Sequence, residues 1–355
     1  MIPGITREAF QSKIDGKQTD LYTLTNSNGM TVAITNYGAA IIAIMVPDKD
    51  GNYANVISGH DSIKAIENSS QKFLSTIIGR FGNRIKGGKF YLNGKLYQLP
   101  QNEGENTLHG GIKGFNKRVW NALMMNEQTL VLNYTSSYGE EGFTGEVKVT
   151  VIYTLTDENE LSIEYLAATN KKTIINLTSH GYFSLGGISN PTATIENQIC
   201  EMNADFYLPV DSECIPTGEI LKVDGTPFDF RTPKTIGQDI DADNEQIKNG
   251  NGYDHCFVLN KREEGELSFA ARITEPVSGR TMDVYTTEPG CQLYSDNWEK
   301  DITGPEGATY PRRSAVCLET QHFPDTPNKN YFPSVILRPG EQYKQKTVYK
   351  FGVIK

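Results

Sequence analysis

One carboxylate and two imidazoles are the groups in this sequence best suited to moving protons. Glu319 lies in Cys317–Asp325, where an apolar, strand-like run gives way to a polar loop that contains proline. His109 directly precedes a pair of glycines, and His180 lies in the glycine-containing segment Asn176–Phe183. Because carboxylates and imidazoles can act as general bases and acids near neutral pH, these residues predict proton-transfer chemistry.

Each histidine also has a purely structural interpretation. His109 could cap a backbone carbonyl within its turn, and His180 could be a hydrogen-bonded histidine of the core. Tyr182 and Phe183, which follow His180, could instead form an apolar wall against the face of a sugar. The local sequence leaves both interpretations open for each ring.

Three further segments carry groups that suit a ligand rich in hydroxyls. Gly79–Ile85 contains two arginines, whose forked donors can bind neighbouring oxygens. Asp254 can accept hydrogen bonds from hydroxyls, and the amide of Gln292 can both donate and accept. The simpler interpretations are surface arginines at a turn, an aspartate that closes the Asn249–Gly252 turn, and a glutamine at the start of a strand.

A metal site built from the histidines and Glu319 is a further alternative. The spacings that mark zinc sites, such as H-E-x-x-H or paired cysteines, are missing from the sequence. We therefore favour proton transfer over a metal site.

The elements that must position these residues are short strands bounded by turn residues. Turns at Asn93-Gly94 and at Asp157–Asn159 mark two hairpins, so the strands are expected to form antiparallel sheets. The predicted strands are Met30–Thr35, Ala39–Val46, Lys89–Leu99 (interrupted by its turn), Thr129–Ser136, Glu146–Leu155, Leu161–Thr169 and Gln342–Val353.

Helix signals are few. We predict helices at Ser62–Asn68 and within part of Ser70–Ile78, and the absence of alternating strands and helices argues against a parallel nucleotide-binding sheet. The polar segment Gly237–Gly252 is predicted to be a loop or insertion, with strand signals on both sides. The sequence therefore predicts an all-β fold in which residues 1–355 form a single domain.

Composition limits the partners of the protein. The 355 residues carry a net charge of −9, whereas nucleic-acid binding depends on a concentrated positive field. No segment has the length and apolarity of a membrane span. A small, uncharged substrate fits this composition better than a nucleic acid or a membrane.

Cysteine usage favours a reducing compartment. The five cysteines are widely and irregularly spaced and include no C-x-x-C pair, so the sequence encodes neither a disulfide framework nor a zinc knuckle. We predict a cytoplasmic protein, although a chain whose export signal had been removed would have the same sequence.

Taken together, the motifs resemble those of the aldose 1-epimerase (galactose mutarotase) family, in the same order along most of the chain. The shared segments are Gly79–Ile85, Asn106–Gly111 with Gly114-Phe115, Asn176–Phe183, Leu208–Asp211, Ile215–Gly218, Gly225–Asp229, Tyr253–His255, Pro289-Gly290 with Gln292, and Leu318–Gln321.

The resemblance implies a large antiparallel β-sandwich of the galactose mutarotase-like supersandwich type, with few short helices, an open cleft and no cofactor. It also implies a free aldose as substrate and a monomer or homodimer as the assembly. Carried over by position, Glu319 is the general base, His180 the general acid, and His109 a second imidazole near the ring oxygen. The residues expected to hold the sugar are Asn83, Arg84, Asp254 and Gln292, with Arg80 a less certain contact.

The implied reaction interconverts the α and β anomers of hexoses such as galactose and glucose. A base removes the C1 hydroxyl proton while an acid protonates the ring oxygen; the ring opens, C1–C2 rotates, and the ring closes with the opposite configuration. Two rival functions remain at this point. One is a glycoside hydrolase that uses Glu319 and Asp254, and the other is a non-catalytic sugar-binding β-sandwich. An enzyme for phosphorylated hexoses would need a more basic cleft than this sequence obviously supplies.

Overall fold

Antiparallel strands account for nearly all the regular structure of the chain. The computed structural model describes residues 2–190, 193–298 and 302–354. In chain order the first strands are β1 (Lys13–Ile14), β2 (Lys17–Gln18), β3 (Leu21–Thr25), β4 (Thr31–Thr35), β5 (Ile41–Pro47), β6 (Tyr53–Asn55), β7 (Ile77–Ile78), β8 (Arg84–Ile85), β9 (Lys89–Leu92), β10 (Lys95–Gln98), β11 (Thr107–Leu108), β12 (Asn121–Asn126), β13 (Thr129–Ser136), β14 (Val147–Leu155) and β15 (Glu160–Thr169).

The strands of the second half supply most of the candidate site. They are β16 (Thr173–Ile174), β17 (Thr178–Ser179), β18 (Ile199–Met202), β19 (Ala204–Tyr207), β20 (Leu221–Lys222), β21 (Lys234–Thr235), β22 (Asp254–Leu259), β23 (Ser268–Thr274), β24 (Arg280–Thr286), β25 (Gly290–Tyr294), β26 (Cys317–Gln321), β27 (Ile336–Leu337) and β28 (Tyr343–Val353).

Three sheets dominate the architecture. A nine-stranded sheet has the order β12-β13-β14-β15-β28-β24-β23-β18-β21, a five-stranded sheet the order β20-β19-β22-β25-β26, and a four-stranded sheet the order β3-β4-β5-β6. The ladder from β13 to β15 pairs neighbouring strands antiparallel in a continuous register. The predicted antiparallel all-β fold is confirmed.

The large sheets pack face to face across one apolar core. Tyr153 and Ile163 of the nine-stranded sheet belong to the same buried cluster as Phe257, Leu293 and Leu318 of the five-stranded sheet. Burial alternates along β14 because successive side chains of a strand point to opposite faces. The result is a β-sandwich; its organisation as a single domain stays a prediction.

Both predicted hairpins form. Lys95 pairs with Leu92 across the Asn93-Gly94 turn, whose two residues have φ of 53° and 73°, the left-handed conformation that this tight turn requires. Leu155 pairs with Leu161 across the second turn. All the predicted strands are present, with ends that shift by a few residues.

Helices are few and short among the described residues. The α-helices are α1 (Ile63–Asn68) and α2 (Glu245–Gly250), and single 3-10 turns occur at Glu8–Phe10, Lys86–Gly88, Phe115–Lys117, Glu140–Gly142, Ile236–Gln238, Pro305–Gly307 and Thr326–Asn328. None of the described helices is long and apolar enough to cross a membrane.

One helix prediction is confirmed and two predictions need correction. Ser62 caps α1 by accepting a hydrogen bond from the backbone of Ala65. The predicted helix within Ser70–Ile78 is wrong, because 72–75 form turns and Ile77–Ile78 pair with β17. The predicted loop Gly237–Gly252 contains α2, which the side chain of Asn244 caps.

Candidate active site

Three neighbouring strands of the five-stranded sheet present polar side chains on the face opposite the core. On β26, Leu318 faces the core while Glu319 points the other way. Gln292 of β25 lies directly opposite Glu319 in the register, and Asp254 of β22 is opposite Tyr294. Strand alternation and register therefore gather residues that are 65 positions apart in sequence, from Asp254 to Glu319.

His180 reaches the same cleft from another pair of strands. The residue directly follows β17, which pairs with β7. The backbone of His180 continues this ladder, since its N–H donates to Thr76 O at 3.0 Å and its carbonyl accepts from Ser75 N at 3.1 Å. The short strand pair thus fixes the backbone from which the His180 ring projects.

His109 is fixed by a pair of hydrogen bonds with Asn83. The two residues follow and precede the paired strands β11 and β8, and both have positive φ, 51° and 62°. His109 N–H donates to Asn83 O at 3.0 Å, and Asn83 N–H donates to His109 Nδ1 at 3.1 Å. Because Nδ1 is an acceptor, the proton of the neutral ring is on Nε2, where it can be donated.

The two imidazoles and Glu319 form a compact group. His180 Nε2 lies 3.6 Å from Glu319 Oε1, and the centroids of the two histidine rings are 5.0 Å apart. Burial, followed by repulsion from the charge of Asp254, raises the pKa of Glu319 well above its ordinary value, while Arg84 acts in the opposite direction. Burial, followed by the charges of His180 and Arg84, lowers the pKa of His109 well below its ordinary value, which keeps that ring neutral.

Aromatic rings enclose this group. Tyr182 stacks on His180 with ring centroids 4.8 Å apart and planes 7° apart. Phe73 meets His109 edge-on at 4.7 Å, and Tyr294 meets His180 edge-on at 6.2 Å. These rings contribute to the burial that is the first cause of the pKa shifts of Glu319 and His109.

A second group in the cleft consists of charged side chains that bind one another. Arg84 Nε and Nη2 each donate to one oxygen of Glu103 at 2.7 Å, and Arg84 Nη1 lies 3.3 Å from Asp254 Oδ2. Gln292 Nε2 donates to the other Asp254 oxygen at 2.7 Å. The position of each charge is thereby fixed before any ligand arrives.

The structure places most of the predicted site residues in one cleft. Its lining includes Asn83, Arg84, His109, His180, Asp254 and Glu319. Gln292 does not line the cleft: it is 2% exposed and lies behind Asp254.

Two other residues singled out in the sequence face away from the cleft. Arg80 is buried and donates to the carbonyls of Thr144 and Gly145, so it holds a loop and not a ligand. Phe183 packs against Tyr349 in the core, leaving only its neighbour Tyr182 at the cleft.

Five lining residues carried no prediction: Gln71, Phe73, Glu103, Tyr294 and Trp298. Phe73 fell within a segment predicted to be partly helical, and nothing in its sequence neighbourhood marks it. Glu103 stands six positions before His109 in a Gly-containing turn. An acidic residue so close to a site histidine was the one signal that could have found it.

The fit of a metal ion can be tested on the donor atoms. His109, His180 and Glu319 each have a possible ligand atom within 4.8 Å of the others. Coordination through His109 Nδ1 would break the hydrogen bond from Asn83 N–H, and coordination through Nε2 would require a proton on Nδ1, facing that same N–H. Both arrangements lose a buried hydrogen bond, so this donor set fits a metal poorly.

Comparisons with known proteins identify the family of the chain. The sequence model of the family described as aldose 1-epimerase matches residues 20–350. The chain belongs to the aldose 1-epimerase family. The galactose mutarotase of Bos taurus is 40% identical over 350 residues, which cover 98% of this chain and 99% of the relative. The aldose 1-epimerase of Escherichia coli (strain K12) is 35% identical over 339 residues, covering 95% of this chain and 96% of the relative.

Solved structures of the family share the fold. The galactose 1-epimerase of Lactobacillus acidophilus has a TM-score of 0.84 at 30% identity, with 97% of both chains covered. The aldose epimerase homologue of C. elegans has a TM-score of 0.85 at 29% identity, covering 95% of this chain and 100% of that one. The predicted family and the predicted enzyme class, an isomerase, are confirmed.

Proposed function

We propose that this aldose 1-epimerase family member interconverts the α and β anomers of free hexoses such as galactose and glucose. The observation that carries the proposal is the approach of His180 Nε2 to within 3.6 Å of Glu319 Oε1 in a cleft enclosed by aromatic rings. A base and an acid on either side of one hemiacetal carbon are what ring opening requires, and each typically contributes about 10²–10⁴ in rate.

Glu319 is the proposed base for the C1 hydroxyl. Its Oε2 has no hydrogen-bond partner within the described part of the chain, and its side chain is 2% exposed. Burial raises its pKa, so the ionised carboxylate takes a proton more readily than an exposed glutamate would. When the nearby His180 imidazole is protonated, its positive charge favours the ionised state of Glu319.

His180 is the proposed acid for the ring oxygen, and His109 is the proposed second donor. The Asn83 N–H fixes the His109 proton on Nε2, and the lowered pKa keeps that ring from acting as a second cation. His109 can thus hold the ring oxygen or a neighbouring hydroxyl as a neutral donor. After ring opening and rotation about C1–C2, the same two transfers in reverse close the ring on the other face of C1.

Arg84, Asp254 and Asn83 are proposed to bind the sugar hydroxyls directly. Gln292 is proposed to act through Asp254, to which it donates. Charge-assisted hydrogen bonds orient the sugar, while the aromatic rings cover its apolar face.

Polarimetry on freshly dissolved α-D-galactose and α-D-glucose tests the function. The protein should accelerate the approach to anomeric equilibrium at catalytic concentrations. If the sugar bound, as measured by calorimetry, with no acceleration, the protein would be a sugar-binding module. Release of reducing sugar from oligosaccharides would instead identify a glycoside hydrolase.

We further propose a cytoplasmic protein of one domain, monomeric or homodimeric. The proposed location is supported by the five cysteines, all of which are free thiols. Light scattering on the purified protein would distinguish a monomer from a dimer.

A further inference from the structure

Glu103 binds Arg84, the one arginine among the described residues that line the cleft, with both carboxylate oxygens. The parallel contacts from Arg84 Nε and Nη2 are each 2.7 Å long, which is the bidentate geometry that fixes a guanidinium plane. Arg84 is 12% exposed and Glu103 34%, so this pair lies between the interior and the open side of the cleft.

The turn that carries Glu103 is tied to the His109 loop. Glu103 and Asn106 exchange backbone hydrogen bonds of 3.2 and 2.8 Å. The side chain of Asn102 donates to the carbonyls of Leu108 and Gly111 and accepts from Leu108 N–H. The carboxylate of Glu103 is therefore held at a defined place relative to His109.

We propose that Glu103 is a positioning and specificity-determining residue that aims Arg84 and cancels its charge, so that the cleft accepts uncharged sugars and rejects anionic ones. The inference rests on the proposed function and assigns a role at the same site.

Geometry supports the positioning role. With Nε and one Nη2 proton bound to Glu103, and Nη1 directed at Asp254, the guanidinium cannot rotate about its own bonds. One N–H of Nη1 and one N–H of Nη2 have no partner among the described residues. Their directions are fixed because the other three N–H groups hold the guanidinium plane in place. Because a rigid donor loses less entropy on binding, Glu103 raises the affinity of Arg84 for sugar hydroxyls.

Charge supports the selective role. Arg84 is the one cation lining the cleft apart from the histidines in the described residues, and three carboxylates line it as well: Glu103, Asp254 and Glu319. Without Glu103, the Arg84 fork would be available to a carboxylate or phosphate on a sugar. With Glu103 present, the carboxylates of the cleft repel an anionic sugar, and Arg84 is already bound to Glu103.

The experiment compares Glu103→Gln and Glu103→Asp with Glu105→Gln. Glu105 is an exposed acidic residue in the same turn, so its variant matches the loss of charge outside the cleft. Mutarotation of α-D-galactose is followed by polarimetry to give kcat and KM. Equilibrated D-galacturonate, whose own optical rotation is constant, is added as a competitive inhibitor.

For Glu103→Gln we expect KM for galactose to rise about tenfold, as for the loss of a charge-assisted hydrogen bond, with kcat within about twofold of the wild type. The ratio of the KM for galactose to the inhibition constant of galacturonate should rise about tenfold. Glu103→Asp keeps the charge but is one methylene too short for both contacts, so KM should rise while galacturonate stays excluded. Glu105→Gln should match the wild type.

Three results would overturn the inference. They are a Glu103→Gln variant indistinguishable from Glu105→Gln, a loss confined to kcat, and unchanged exclusion of galacturonate in Glu103→Gln. Each of them presupposes that the wild-type protein accelerates mutarotation. If the wild type itself were inactive, the proposed function would fail, which is a separate outcome from the failure of the Glu103 assignment.

Discussion

The cleft has two ends, and they differ in how far their side chains are hydrogen-bonded to one another. At the reacting end, formed by His109, His180 and Glu319, the side chains are buried by aromatic rings, and Glu319 Oε2 has no partner within the described residues. At the holding end, formed by Arg84, Glu103 and Asp254 with Gln292 behind Asp254, the charged groups bind one another.

The difference follows from what each end is proposed to do. A group that must accept a proton reacts more readily when its charged form is not strongly stabilised. Burial provides this condition because it disfavours the charged form. A group that must hold a hydroxyl needs a fixed position, which neighbouring charges supply. Substitutions at the reacting end should therefore lower kcat, and substitutions at the holding end should raise KM.

The largest expected effect is that of Glu319→Gln. The amide has nearly the same shape but cannot take up the C1 hydroxyl proton, so kcat should fall by about 10²–10⁴ with little change in KM. Polarimetry at saturating α-D-galactose measures kcat, and calorimetry of sugar binding checks that affinity is retained.

Glu105→Gln, on an exposed turn outside the cleft, is the control for loss of an acidic side chain. Wild-type kcat in Glu319→Gln would remove Glu319 from the chemistry. A rise in KM alone would place Glu319 at the holding end and erase the distinction between the two ends.

Asp254→Asn is expected to have a smaller effect of a different kind. Losing the charge that binds Arg84 should raise KM about tenfold. Because the negative charge of Asp254 raises the pKa of Glu319, its removal should also let Glu319 ionise at lower pH. The rise of kcat/KM with pH should therefore move to lower pH in this variant.

The pH profile of kcat/KM, measured from pH 4 to 9 for wild type and variant, checks the sign. A shift of the acidic limb to higher pH would contradict the repulsion between Asp254 and Glu319. An unchanged KM would exclude Asp254 from sugar binding.

Features that depend on residues close together in the chain could be predicted from the sequence. Strands and hairpins are local: alternating burial and the Asn93-Gly94 turn are visible in short windows, and the structure has both. His109, His180 and Glu319 lie in motifs that resemble a known family. Their convergence in one cleft depends on the pairing of distant strands, which the resemblance implied and the sequence pattern alone did not contain.

Residues whose role depends on a distant partner were harder to predict. Glu103 becomes recognisable only when Arg84 lies 2.7 Å away, and Phe73 only when its ring meets His109. Arg80 and Arg84 belong to one motif, yet Arg80 binds backbone carbonyls while Arg84 binds carboxylates. No local pattern separates the two arginines, because their partners come from elsewhere in the chain.

The smallest expected effect is on stability, and it concerns the reacting end alone. The folded protein raises the pKa of Glu319 above the value of about 4.3 expected in the unfolded chain. Between these two values the folded state binds more protons, so the stability contributed by this group is fully present below about pH 4.3 and is lost as pH rises through the folded pKa. Glutamine does not titrate and escapes this loss.

Glu319→Gln should therefore melt a few degrees higher than the wild type at pH 8, and the difference should shrink as pH falls toward 4.5. Thermal unfolding followed by circular dichroism at both pH values measures it, with Glu105→Gln as a variant whose exposed site should show no such trend. A Glu319→Gln protein less stable than wild type at pH 8 would mean that the ionised glutamate is well compensated, chiefly by His180. In that case the charge of Glu319 would be as well compensated as the charges of the holding end. Destabilisation of the ionised glutamate could then no longer explain the reactivity of this end.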